Sequence, residues 1–225
     1  LDNFARTSSS AMSRTSKFSQ TASSAIDEVT GDLGGLILKT FALAIGGSIG
    51  LIGMAKYGFE AVQQIQGTVA SMVSLTGSAE AAGKVIKEMV DYVQGKPFDR
   101  MEVLQASRNL LALGRTTQDL KGDIELLGRA VVYTGRDFAS LALIYGQASA
   151  TNRVMSGDLN QLVTAGIPIL KTLSKQLGVT AQDVYKMAEN GQIDFATFKK
   201  ALEDALPADI VERNSNTISQ RISSL

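Results

Sequence analysis

Between residues 98 and 206 the chain repeatedly sets a helix-opening polar residue, apolar positions at helical spacing and a closing glycine, and no other feature constrains the fold as strongly. Asp99 is placed to cap a helix with Val103, Leu104, Leu110 and Leu111 on its apolar positions and Gly114 at its end. Thr117 opens a second, with Leu120, Ile124, Leu127 and Val131 facing one way before Gly135. Asp137 opens a third, with Leu141 and Ile144, running towards Asn152. Ser156-Gly157-Asp158 reads as a turn and cap ahead of Leu159 and Leu162. Gly166-Ile167-Pro168 puts proline at a helix start, where its missing N–H costs nothing, and Leu170, Leu173 and Leu177 then lead to Gly178. Thr180 caps a short helix carrying Val184 and Met187 up to Gly191. Asp194 caps the last, with Phe195, Phe198, Leu202 and Leu206 on one face and Pro207 as its stop. No stretch keeps the two-residue alternation of a strand between turn signals. The expected class is all-α: a compact, Gly-capped multi-helix domain over 96–208.

Upstream the character of the chain changes. Residues 61–95 predict amphipathic helices, with Val62, Ile65, Val69, Met72 and Val73, then Val85, Ile86, Met89, Val90 and Val93, recurring at three- and four-residue steps. Gly77-Ser78 interrupts them and Lys96-Pro97 closes them. Residues 31–60 contain a glycine-rich hydrophobic segment, 33–55, in which Lys39 is the single charge. A bilayer core takes about 20 apolar residues of helix, a length the segment reaches if Lys39 extends to an interface. Gly46 and Gly50 stand four apart, the spacing that lets helix backbones approach closely, with Gly53 a further small position and Leu43, Ile45 and Ile52 beside them. Two readings stand for these six residues: a membrane-competent or self-packing helix, or a hairpin buried in a soluble core. Residues 1–30 are rich in Ser and Thr with Arg6, Arg14 and Lys17, a linker or a helix ordered only by partner chains. Residues 209–225 form a polar tail. Leu1 at one end and Ser223-Ser224-Leu225 at the other predict a piece of a longer chain.

Composition excludes several chemistries. There is no Cys and no His, so there is no disulfide framework, thiolate nucleophile, imidazole base or usual zinc ligand. The 22 basic residues balance 22 acidic ones, without the basic excess of a nucleic-acid binder, and no specific nucleic-acid binding is expected. Gly46-Gly47-Ser48-Ile49-Gly50 matches the spacing of a hydrolase nucleophile elbow, but that turn needs a strand before it and a histidine base. Asp119 and Asp123, at i,i+4, read as a solvated pair on a polar helix face. Tyr133 and Tyr145 read as core or interface residues, and Met101, Met155 and Met187 as packing. No catalytic, cofactor-binding or metal-binding residue is assigned, and no cofactor is expected.

From Ala142 to Leu206 the motifs follow one another in a fixed order. Gln147 and Ala148 precede Gly157-Asp158-Leu159-Asn160-Gln161-Leu162, Ala165-Gly166-Ile167-Pro168-Ile169-Leu170 and Leu177-Gly178-Val179-Thr180. Val184-Tyr185-Lys186-Met187, Asn190-Gly191-Gln192-Ile193 and the Phe198 to Leu206 helix complete the series. This succession resembles the N-terminal conserved domain of tailed-phage tape measure proteins. The resemblance implies a structural, non-enzymatic role in the virion tail tube, with length determination, tail assembly and genome ejection. It also implies several copies side by side, a trimer being the expected homo-oligomer. The implied partners are the tail tube protein, tail tip or initiator proteins, tail assembly chaperones during assembly in the host cytoplasm, and the host inner membrane, which hydrophobic stretches engage on ejection. A compact capped domain departs from a plain helical ruler, so length measurement is expected outside it. A helical pore-former built on 33–55 is the other reading.

Overall fold

A computed structural model describes residues 64–65 and 67–215, and all regular structure among them is helical. Helical residues 67–76 lead, after Gly77 and Ser78, to α1 (Ala79–Val93). Then follow α2 (Arg100–Ala112), α3 (Thr117–Thr134), α4 (Phe138–Thr151), α5 (Ser156–Thr164), α6 (Ile169–Leu177), α7 (Ala181–Glu189) and α8 (Phe195–Ala205), with a last helical stretch at 210–215. The chain divides into two compact units between Lys87 and Glu88, inside α1. In the first unit Ile65, Val69, Met72, Val85 and Ile86 are buried, as the helical spacing predicts, with Ala82 beside them, while Val73 is half-buried. The segment 33–55, with Leu43, Ile45, Gly46, Gly50, Ile52 and Gly53, lies outside the described residues, as do 1–30.

In the second unit the caps form as the local chemistry dictates. Carboxylates of Asp99, Asp137 and Asp194 accept the backbone N–H groups of Glu102 (2.9 Å), Ser140 (2.8 Å) and Thr197 (2.7 Å). Thr180 Oγ1 accepts from Asp183 N at 3.2 Å. Each satisfies one of the amides a helix start leaves without a partner. Gly135 and Gly178 close α3 and α6 at φ 70° and 69°, a left-handed turn that a Cβ resists. Asn152 closes α4 in the same region, at φ 51°. Leu206, ahead of Pro207, is extended (φ −112°, ψ 128°), and α8 stops there.

Two local expectations are corrected. The cap of α3 is Thr116, whose hydroxyl accepts from Asp119 N, and Thr117 is the first helical residue. Thr116 has the free β-region backbone a cap needs, which the threonine pair does not reveal in sequence. Ser156-Gly157-Asp158 is the first turn of α5 and not a turn before it; Asp158 reaches back to accept the Met155 N–H at 2.9 Å.

Helices α2, α3 and α4 pack on one another, and α5 to α8 form a second mutually packed group. The first group buries Val103, Leu104, Leu110, Leu120, Ile124, Leu127, Leu141 and Ile144; the second buries Leu159, Leu162, Ile169, Leu173, Val184, Phe198 and Leu202. Glu102 Oε1 accepts the Phe138 N–H at 2.8 Å, so a side chain of α2 satisfies the first turn of α4. Two glycines inside helices serve packing and not turning. A Cβ on Gly128 would collide with the Tyr92 hydroxyl and press on Phe98, and one on Gly146 would collide with Leu113.

Candidate functional site

Asp123 is the polar centre of the second unit. It follows Leu120 on α3 and precedes Ile124, so it shares their inward side, and it is fully buried (0% exposed). An isolated buried carboxylate would be prohibitive, and the fold supplies three donors. Arg115 Nε, from the α2–α3 loop, lies 2.5 Å from Oδ2. Tyr145 of α4 donates its phenol to Oδ1 at 2.6 Å, and Lys199 Nζ of α8 lies 3.0 Å from the same oxygen. Arg115 also reaches Ser149 Oγ (3.3 Å) and Asp119 Oδ2 (3.5 Å), so two cations face two carboxylates.

Aromatic rings enclose the cluster. Tyr145 meets Phe195 edge to face at 5.0 Å and lies 6.4 Å from Phe198. The Arg115 guanidinium stands 5.1 Å over the Phe195 ring. Burial and the hydrogen bond to the Asp123 carboxylate push the Tyr145 phenol far above its ordinary range, so it acts as a donor only. Burial opposes the charge on Arg115, but the hydrogen bond and attraction to Asp123 outweigh it and raise its pKa. With its oxygens held by three donors, from the α2–α3 loop, α4 and α8, and no exposure, Asp123 has no lone pair within reach of a solute. The cluster fixes helix orientation.

This placement overturns the solvated reading of the Asp119–Asp123 pair. Asp119 is exposed, but Asp123 is core. Its partners lie 8, 22 and 76 residues away in sequence, beyond any local pattern. The one available signal was its place in register with Leu120, Ile124 and Leu127. Of the two tyrosines read as core or interface, Tyr145 is core and Tyr133 is 40% exposed. Met155 is exposed, and Met101 and Met187 are half-buried.

A second feature is a cleft of about 540 Å³ beside α3 and α8, lined among others by Tyr92, Gly122, Glu125, Arg129, Glu203 and Glu212. Arg129 Nη1 donates across its wall to the Leu206 carbonyl at 3.3 Å. Among the described residues no group of His, Cys, Asp or Glu is placed to hold a metal ion, and no helix is long and apolar enough to cross a membrane.

Among the described residues the second unit is helical, and its buried polar cluster ties helices to one another. Consistent with that, the family model described as "Tape measure protein" matches residues 56–225, about three quarters of the sequence, and the chain belongs to the tape measure protein family. It is accordingly a structural protein of the phage tail. No curated protein and no solved structure matches it.

Proposed function

We propose that this chain works inside the tail tube, contributing to tail length determination and assembly and leaving ahead of the genome at ejection. The family match over 56–225 carries this reading. It acts by occupying space and packing helices, not by making or breaking bonds: the chain has no thiol or imidazole, and Asp123 is committed to three donors. Its partners are further copies of itself, as a trimer, the tube protein, the tip or initiator proteins and the assembly chaperones. The apolar segment around Leu43, Ile45, Gly46, Gly50, Ile52 and Gly53 engages the host inner membrane on ejection.

Length measurement has a simple physical basis, because an extended helix advances about 1.5 Å per residue. In 88–215 the helices pack against one another, so their residues do not add up along an axis. In-frame deletions in the phage gene, with tails measured by electron microscopy, test the proposal. Cuts in extended helical sequence should shorten tails by about 1.5 Å per residue removed. A deletion of 142–206 that leaves the rest folded should leave length unchanged. Tails of normal length in a phage lacking the protein would overturn the length role, and dye release from liposomes by the fragment without tail association would favour a pore-former.

A further inference from the structure

The two helix groups of the second unit are joined very differently from the way each is built. Within each group the helices pack closely on one another and carry buried apolar side chains. Between the groups no helix pair packs as closely, and polar and aromatic contacts join them. Lys199 of α8 meets Asp123 of α3, Phe195 meets Arg115 and Tyr145, and Phe198 meets Tyr145. Arg129 reaches the Leu206 carbonyl, and Val154, within the covalent connection, donates its N–H to Ile193 O at 3.0 Å. The cleft of about 540 Å³ opens on the same seam, with Glu125 and Arg129 of α3 on one wall and Glu203 of α8 on the other. A buried ion pair is weak evidence for net stability, because desolvation offsets much of its attraction. The connection between the groups is the short run 152–155, and Asn152 is the only non-glycine residue with positive φ among the described residues. A few residues at the ends of elements are what a hinge consists of.

We infer that residues 88–215 open along this seam as two helical bodies, α2–α4 and α5–α8, with 152–155 as the hinge and the Lys199–Asp123 contact as the latch. This does not depend on the tail role. Lys199 is the member of the cluster whose loss leaves Asp123 still paired, with Arg115 and Tyr145, so removing it releases α8 without unfolding α3.

The chain has no cysteine, so a spin-label pair can be placed at Glu125→Cys and Glu203→Cys, exposed positions on opposite walls of the cleft. Pulsed electron–electron resonance on the full chain should give one short, narrow distance. Lys199→Met, which keeps the apolar stem, should add a longer distance and raise the open fraction about tenfold, with far-UV helicity unchanged. Lys199→Arg should restore the single short distance. With Lys199 in place, mild urea should populate the same longer distance before helicity falls. A single unchanged distance in Lys199→Met overturns the latch. Loss of the short distance and of helicity in one urea step overturns the hinge. If Lys199→Met unfolds the chain, the urea series on the unaltered latch decides.

Discussion

Gly128 and Asp123 sit five residues apart on α3, and each is dictated by a contact remote in sequence. Gly128 looks like a flaw in a helix, since alanine there has the better helix propensity by about 1 kcal/mol. Its missing side chain is what lets Tyr92 and Phe98 lie against the helix, with Phe98 edge to face on Phe138 at 5.1 Å. Overpacking costs about 1–3 kcal/mol, which outweighs the propensity gain. Gly128→Ala should therefore destabilise the chain by about 1 kcal/mol in urea unfolding, whereas a stabilised variant would show that Tyr92 moves aside freely. Gly122, on the same helix with open space around it, is the control and should gain stability as alanine. Asp123 makes the same point for charge. Nothing within four residues of it says that it is buried between Arg115, Tyr145 and Lys199.

Helix boundaries, in contrast, are local. A cap needs an acceptor at one residue and free amides two or three residues on, so Asp99, Asp137, Thr180 and Asp194 act as their sequence contexts predict. Their titration follows. The backbone N–H of Ser140 holds the Asp137 carboxyl below its ordinary value of 3.8, and that of Thr197 does the same for Asp194. A carboxylate with a lowered folded-state pKa contributes stability that is complete above about pH 4 and lost as the pH falls through the folded value. Asp137→Asn combined with Asp194→Asn should match the parent near neutral pH, because asparagine caps as well as aspartate. The double variant should lose less stability between about pH 4 and pH 2. Urea midpoints at the two ends of that range measure it, and parallel pH profiles for the two proteins would show that these caps do not titrate. Both carboxylates are largely exposed, so the effect is modest.

On the scale of the whole chain, the polar cluster, the aromatic contacts and the cleft are all closed within 88–215. A protein expressed from Glu88 to Ser215 should therefore fold by itself, with high helicity and well-dispersed amide resonances; a narrow, collapsed spectrum would show that its core needs the preceding unit. That the described residues are all-helical, where most helices start and stop, and that the chain resembles tape measure proteins were all legible in the order of residues, because caps, glycine stops and apolar spacing act over three to five neighbours. The burial of Asp123, the closeness of α3 to Tyr92, and the division of one domain into two helix groups were decided by tertiary structure. These depend on pairs such as Asp123 and Lys199, 76 residues apart, which only the folded chain brings within hydrogen-bonding distance.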